Sequence, residues 1–193
     1  MIRAATAAVA MVFGAATVGV LGVGVGLPAA LIFTVVSVVL VVVDIRERRL
    51  PHRIVLPAIG VVLVAQAIAA WHEREPSRFA QALAGGLIAG LGLLAVHLVS
   101  PQGLGFGDVT YATLIGSTLG VFGLTRVGLG LGLGFMIGAV MAGPAVMLGR
   151  RRAARSVATV GSSTIPFGPA LALGAWIAMC WGGSITQWYG RSG

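Results

Sequence analysis

The stretch AALIFTVVSVVLVVVDIRERRLP, residues 29–51, joins a long uncharged apolar run to a strongly charged end. Backbone N–H and C=O groups find no water inside a bilayer, so a segment that crosses it must be a helix or part of a closed barrel. The apolar residues of this run are continuous and do not alternate with polar ones, which favours a helix. Asp44 follows the run directly, where the apolar run meets a basic segment.

Similar apolar runs recur along all 193 residues, which are 58% hydrophobic and only 9% charged, with a mean hydropathy of +1.00. A soluble domain of this size would need a larger polar surface. Each run approaches the roughly 20 residues that a helix needs to cross a bilayer. We therefore predict an all-α, polytopic membrane bundle that forms one integral-membrane domain over residues 1–193. Seven spans are predicted, at 4–26, 29–43, 54–71, 80–99, 108–124, 127–148 and 165–185.

The net charge of +8 comes from 13 arginines and no lysine. The arginines lie in the connections between spans, nine on the side of the N-terminus and four on the other side. Arginine enrichment marks the cytoplasmic side, so the N-terminus is predicted to be cytoplasmic in the cell membrane. Such arginines contact anionic lipid headgroups, and we expect no nucleic-acid partner.

Few residues are suited to binding a metal or a cofactor. Cys180 lies alone in an apolar run, which predicts neither a disulfide framework nor a thiolate zinc site. The three histidines are scattered along the chain. His97, near the inner end of the fourth span, is expected to reach the membrane interface or, less favoured, to support the aspartates described below. We expect no metal and no cofactor.

The chain contains two aspartates, Asp44 and Asp108. Asp44 ends the second predicted span and Asp108 begins the fifth. The two intervening spans return the chain to the same side, so both carboxyl groups are predicted at the cytoplasmic face at similar depth. A carboxylate at the edge of the hydrocarbon is costly, and such residues usually face the bundle interior and mark function.

Each aspartate also has a purely structural interpretation. Asp108 can act as the N-cap of its helix, where it would accept hydrogen bonds from free backbone N–H groups. Asp44 can pair with Arg46, Arg48 or Arg49 at the interface. The placement of both acids at one depth on one face favours a functional pair over these two separate explanations.

Two carboxyl groups held close together cannot both ionise freely, because like charge raises one of the two pKa values. One member can then act as a general base on water while the other, protonated, donates to the carbonyl oxygen of a peptide bond. Gly105 and Gly107 carry no Cβ atom, so the backbone before Asp108 can bend and an extended peptide can lie beside it. This arrangement predicts aspartic-protease chemistry.

Three short motifs resemble one known family. GFGD at 105–108 resembles the GxGD signature of intramembrane aspartic proteases. DIRERRLP at 44–51 resembles the first-aspartate motif of prepilin peptidases, and PFGP at 166–169 resembles a segment near the start of that family's last helix, although proline also suits a helix start by itself. The resemblance implies that these residues bind substrate or shape the site: Arg49, Pro51, Gly105, Gly107, Pro166, Phe167, Gly168 and Pro169.

The resemblance implies an endopeptidase of the cytoplasmic membrane with Asp44 and Asp108 as its catalytic residues. Its partners would be prepilin-like precursors and the lipid bilayer, and it would remove their short basic leader at the cytosolic membrane edge. The family usually has lysine two residues after the second aspartate, where this chain has Thr110. Larger members also carry a domain with paired cysteines that is associated with N-methylation, which we do not expect here.

Two other functions use the same residues differently. A small proton-coupled transporter would need polar residues through the middle of the membrane. Gln66 and a few Ser and Thr residues lie there, but no acid does. A catalytically inactive pilus-assembly protein would keep the fold and the motifs without the chemistry. The precursor, its cleavage sequence and the oligomeric state do not follow from the sequence.

Overall fold

The structure, a computed structural model, describes residues 2–22, 24, 26–47, 52–99, 104–153 and 167–191. Within these ranges the chain forms seven α-helices. Their bounds are α1 Ile2–Leu21, α2 Leu27–Glu47, α3 His52–His72, α4 Pro76–Val99, α5 Phe106–Gly120, α6 Leu124–Ala153 and α7 Gly168–Arg191.

Four of these helices are long and apolar enough to cross a membrane, over Leu27–Arg46, Arg53–His72, Pro76–Val99 and Leu124–Ala142. Two shorter apolar stretches, Thr6–Leu21 and Gly168–Gly182, accompany them. Many large apolar side chains on these helices are exposed, as expected for surfaces that face lipid. The prediction of an all-helical, polytopic membrane bundle is confirmed.

Several helix ends differ from the predicted spans. The fifth helix covers residues 106–120 and not 108–124, because the chain turns at Gly123, whose φ of +112° favours glycine. The sixth helix continues to Ala153, beyond the predicted end at 148, through a run of arginines. Arginine is a good helix former, so hydropathy locates the apolar part of this helix but not its end.

The connections within the central part of the bundle are short. Residues 73–75 join α3 to α4, and residues 121–123 join α5 to α6. Short connections place consecutive helices antiparallel to each other. At most six residues separate α2 from α3 and α4 from α5, so the C-terminal end of α2 and the N-terminal end of α5 lie at the same end of the bundle.

The α5 helix occupies the centre of the bundle. It contacts α2, α3, α4, α6 and α7, and residues 114–120 are all buried. Its closest neighbour is α4, where Gly85 and Gly116 allow the two backbones to meet. A Cβ atom on Gly116 would lie 2.6 Å from the Cβ atom of Ala89. These glycines therefore allow α4 and α5 to approach each other closely.

Glycines also bring α6 and α7 together. A Cβ atom on Gly134 would lie 3.0 Å from the Cα atom of Leu171, and Gly138 leaves room for the ring of Phe167. That ring also lies 5.2 Å from the ring of Phe135, measured between centroids. These contacts fix the beginning of α7 against α6, next to the end of α2.

Candidate active site

Asp44 lies in the last turns of α2 and is only 5% exposed. Its Oδ2 atom accepts a hydrogen bond of 3.0 Å from the backbone N–H of Gly168, the first residue of α7. The free N–H groups at a helix N-terminus carry partial positive charge, so this position favours a charged carboxylate. The Asp44 carboxyl group on α2 thus accepts a hydrogen bond from a free backbone N–H group at the start of α7, 124 residues away in sequence.

Gly168 is required by this geometry. A Cβ atom added there would lie 2.6 Å from Oδ2 of Asp44 and 3.2 Å from its Cγ atom. Any other side chain would push the helix start and the carboxyl group apart. This contact gives the glycine of the PFGP segment a physical role that its sequence position alone did not disclose.

Asp108 lies in the first turn of α5, where Gly105 is the N-cap residue. Its Oδ2 atom accepts a hydrogen bond of 3.2 Å from the Gly105 backbone N–H. The helix begins two residues earlier than predicted, so Asp108 caps it from the third helical position and is not the N-cap itself. The capping interpretation therefore holds in a modified form. The carboxyl group of each aspartate accepts a hydrogen bond at a helix N-terminus, Asp44 at α7 and Asp108 at α5.

The two carboxyl groups interact electrostatically. Asp108 precedes the apolar part of α5 and lies outside the four long candidate spans. Burial and, to a lesser extent, the charge of Asp44 together raise its pKa to about 6, against the opposing effect of the Gly105 hydrogen bond.

His97 supports the turn that precedes Asp108. Its Nδ1 atom lies 2.7 Å from the carbonyl oxygen of Leu104, and a carbonyl oxygen can only accept, so the ring N–H donates. The ring also lies edge-on to Phe106, with centroids 5.9 Å apart. These contacts place His97 beside the turn that leads to Asp108, and its predicted position at the membrane interface stays a prediction.

Tyr111 and Ser37 are buried polar residues that sequence reasoning did not assign to the site. Tyr111 is fully buried one turn after Asp108, and its ring stacks on Phe33 of α2 with centroids 6.4 Å apart. Apart from an interaction between the two hydroxyls themselves, neither Tyr111 nor Ser37 has a side-chain hydrogen-bond partner among the described residues. The charge of Asp44 acts on the Tyr111 phenol. The sequence contains one signal for Ser37: it precedes Asp44 by two helical turns, so both residues lie on the same face of α2.

The other predicted site residues have different surroundings. Gly107 lies in the first turn of α5, where its carbonyl oxygen accepts a 2.9 Å hydrogen bond from the Thr110 hydroxyl. Phe167 packs against α6, and Pro169 follows Gly168 at the start of α7. The remaining three predictions, Arg49, Pro51 and Pro166, lie outside the described residues.

Charged partners and metal ligands are sparse in the part of the chain that the structure describes. There, the recorded ion pair joins Arg78 to Glu75, at the opposite end of the bundle from Asp44. Arg46 is exposed, and Arg48 and Arg49 lie outside the described ranges. No group of three or more His, Cys, Asp or Glu side chains that could hold a metal ion occurs among the described residues.

The fold and these carboxyl groups define a class of protein, a helical membrane bundle with an acid pair at one end. Residues 31–148, more than half of the chain, match the Type IV leader peptidase family. The match includes both aspartates. This chain belongs to the Type IV leader peptidase family.

Curated proteins with similar sequences carry the name prepilin leader peptidase/N-methyltransferase. The protein from Aeromonas hydrophila is 31% identical over 171 residues, which cover 86% of this chain and 53% of the relative. The protein from Pseudomonas aeruginosa is 29% identical over 76% of this chain, and the protein from Bacillus subtilis is 27% identical over 98% of it. The chain spans about half the length of the first of these relatives. No solved structure matches it significantly.

Proposed function

We propose that this chain is an aspartic endopeptidase that removes the basic leader from prepilin-like precursors at the cytoplasmic edge of the membrane. Its family membership supports this function. The observation that carries the proposal is the electrostatic interaction between Asp44 and Asp108, the chain's only two aspartates, at one end of the bundle. Acid pairs with different environments divide the roles of base and acid between them.

The surroundings of the two carboxyl groups support a specific division of roles. Each acid accepts one backbone N–H bond at the positive end of a helix, which favours its charged form, whereas burial disfavours that form in both. The pKa of Asp108 is raised to about 6, in part by the charge of Asp44, so we assign the shared proton to Asp108. Asp44 then acts as the general base, and Asp108 acts as the general acid.

The reaction follows from these roles. Asp44 takes a proton from water, whose oxygen attacks the carbonyl carbon of the scissile peptide bond. Asp108 gives its proton to the carbonyl oxygen, which produces a neutral tetrahedral intermediate. When the C–N bond breaks, the proton held by Asp44 passes to the leaving nitrogen and the intermediate's hydroxyl proton returns to Asp108. Both carboxyl groups recover their starting states.

The position of the site supports the proposed topology, with seven membrane-crossing helices and a cytoplasmic N-terminus. Asp44 and Asp108 lie at the same end of the bundle as the arginine-rich connection after α2. This end would face the cytosol under the positive-inside rule. A precursor whose leader stays in the cytosol could reach the acids there without crossing the bilayer.

The Asp44→Asn and Asp108→Asn variants, each co-expressed with a prepilin-like precursor, test this function. Loss of either acid should reduce precursor processing by at least about 10³-fold, because each residue carries one half of the proton transfer. Glu75→Gln is the matched control, since it makes the same acid-to-amide change at an exposed position at the other end of the bundle. Retention of processing by both aspartate variants would overturn the proposal.

A proton-coupled transporter remains the alternative that the same residues would serve. The buried polar residues in the described part of the chain other than Asp44 are uncharged: Thr17, Thr34, Ser37, Gln66, Tyr111, Ser117 and Thr118. Proton pathways usually use ionisable groups within the membrane, so this set gives the transporter little support. Proton flux in proteoliposomes that disappears in either aspartate variant, together with unprocessed precursor in the wild type, would favour it. A lack of both activities would favour an inactive assembly protein.

A further inference from the structure

The peptide unit between Leu104 and Gly105 contacts a functional side chain on each side. Its carbonyl oxygen, on Leu104, lies 2.7 Å from Nδ1 of His97. Its N–H group, on Gly105, donates the 3.2 Å hydrogen bond to Oδ2 of Asp108. The C=O and N–H groups of a planar trans peptide unit point in opposite directions. One orientation of this unit therefore serves both contacts, and His97 is linked to Asp108 through it.

The peptide unit needs such a contact because it lies ahead of α5. Gly105 is the N-cap residue, so its φ and ψ are not helical, and it has no side chain to restrict them. The Leu104 side chain is packed in the core and holds one side of the unit. The His97 ring, in the last turn of α4, holds the carbonyl oxygen on the other side. Without that ring, the Gly105 N–H group could rotate away from the carboxyl group.

The geometry points to His97 as the residue that positions the Asp108 carboxyl group for its role as the general acid. This inference rests on the proposed function. His97 acts through the Leu104–Gly105 peptide unit and needs no contact with the substrate or with either acid. Its ring N–H fixes the Leu104 oxygen, and the Gly105 N–H then keeps the carboxyl group in the orientation from which it gives its proton.

The same hydrogen bond affects the ionisation of Asp108 in a definite direction. It stabilises the charged carboxylate and so lowers the pKa of Asp108, against burial and the charge of Asp44, which raise it. Loss of the Gly105 contact should therefore raise this pKa above about 6. A residue that only stabilised the fold would leave the pKa of Asp108 where it is.

The helices packed around α5 bring other titratable residues to this end of the bundle, and none of them changes in the variants below. They are Asp44 and the exposed Arg46 on α2, His52 and the exposed Arg53 at the start of α3, and Arg150, Arg151 and Arg152 near the end of α6. The part of α7 that precedes Cys180 has no titratable side chain.

His97→Leu and His97→Asn separate the hydrogen bond from the shape of the side chain. Leucine and asparagine are similar in size and shape, and both lack the imidazole. Only asparagine has an amide N–H that can donate to the Leu104 carbonyl oxygen. His72→Leu is the control for the loss of a histidine, because His72 is exposed at the opposite end of the bundle.

The first measurement follows Asp108 itself, in the full chain in detergent micelles and without substrate. Because the chain has only two aspartates, ¹³C labelling of their carboxyl carbons gives two NMR signals, and Asp108→Asn identifies the one from Asp108. In His97→Leu the titration midpoint of Asp108 should rise by about one pH unit, the effect of losing a hydrogen bond to a charged group. In His97→Asn and His72→Leu it should stay close to the wild-type value.

The second measurement is cleavage of the full-length precursor by purified enzyme at pH 5, where Asp108 is protonated. His97→Leu should reduce kcat by about tenfold with KM unchanged, which is part of the roughly 10²- to 10⁴-fold that a positioned acid contributes. His97→Asn should recover most of this loss. The fall of kcat/KM at rising pH should begin about one pH unit higher in His97→Leu. Partial unfolding would also lower the rate, but it would not move the pH profile.

Failure of this inference and failure of the proposed function give different results. An unchanged Asp108 midpoint in His97→Leu, or equal losses of rate in the leucine and asparagine variants, would overturn the role of His97 while the peptidase stands. If the midpoint moves but Asp44→Asn and Asp108→Asn both still process the precursor, the hydrogen bonds stand. The proposed function then fails, and the positioning role of His97 in the reaction fails with it.

Discussion

At Gly168, the absence of a side chain lets the backbone N–H of α7 reach the carboxyl group of Asp44. The contact joins two elements far apart in sequence, and hydropathy and helix spacing carry no information about it. The PFGP resemblance identified the position, but only the packed structure supplies the reason that glycine stands there. Similarly, Tyr111 follows Asp108 by one turn, yet its burial against Phe33 depends on how α2 and α5 pack.

Replacement of Gly168 by alanine is expected to displace the Asp44 carboxyl group. The added Cβ atom would lie 2.6 Å from Oδ2, so the acid or the helix start must move. A displacement of about 1 Å can reduce a catalytic rate by about 10²-fold, and we expect a fall in kcat of that order. The measurement is the single-turnover rate of precursor cleavage in detergent.

Gly92→Ala in α4 is the matched control for this prediction. A Cβ atom there would meet nothing within 4 Å, so the variant should cleave at the wild-type rate. Equal rates for the two variants would show that the hydrogen bond between Gly168 and Asp44 does not contribute to catalysis.

The raised pKa of Asp108, about 6, predicts the direction of the pH dependence. Asp108 is protonated at pH 5 and ionised at pH 8, and the proposed mechanism needs its proton. We expect kcat/KM to fall as pH rises above about 6, by up to about tenfold per unit at high pH. A rate that increases steadily from pH 6 to pH 8 would contradict the assignment of Asp108 as the acid.

The stability of the fold should change in the same pH window. Between the ordinary pKa of 3.8 and about 6, the folded state holds the Asp108 proton more tightly than the unfolded state. The free energy of unfolding should therefore decrease as pH rises through this range, by at most about 3 kcal/mol. Melting curves recorded across this pH range for the wild type and for Asp108→Asn measure the effect. The decrease should be smaller in the variant, because it lacks the carboxyl group that ionises.

At the level of elements, apolar runs in the sequence predicted the number of helices in the described residues and most of their positions. Their ends depend on local features that hydropathy does not weigh. Gly123 stops α5 early by its positive φ, and the arginines after residue 149 prolong α6. Glycines allow helices to pack closely, but only the structure shows which helices meet through them. The answer is α4 with α5 and α6 with α7.

The contact between α4 and α5 should be sensitive to a single methyl group. A Cβ atom on Gly85 would meet the carbonyl oxygen of Gly116 and would lie 3.0 Å from the Cα atom of Gly120. We expect Gly85→Ala to destabilise the bundle by about 1–3 kcal/mol, the usual cost of overpacking. Gly92→Ala, on the same helix but with open space around it, carries the same gain in helix propensity and should not destabilise.

Thermal unfolding in detergent micelles measures this difference. Because α5 carries Asp108, the Gly85→Ala variant should also lose activity at temperatures where the wild type is still folded. Identical melting temperatures for the alanine variants at 85 and 92 would mean that the two helices tolerate a wider separation than the structure indicates.

For the whole molecule, the order of helices and the arginine distribution lead to one topology. Short connections make α3, α4 and α5 consecutive antiparallel neighbours, so Asp44 and Asp108 share an end of the bundle while Arg74 and Thr125 lie at the other. The sequence alone predicted the same arrangement from nine arginines against four. Connection length places the two acids at one end of the bundle, and the arginine distribution predicts that this end faces the cytoplasm.

Single-cysteine labelling tests this topology in whole cells. With Cys180 replaced by alanine, a membrane-impermeant thiol reagent should label Arg74→Cys and Thr125→Cys from outside, and should label Arg53→Cys only after the cells are permeabilised. All three positions are exposed in the structure, so a lack of labelling reports sidedness and not burial. The reverse pattern would place both carboxyl groups at the outer face. A precursor with a cytosolic leader could not reach them there, so the proposed cleavage would fail even though the acid pair remained intact.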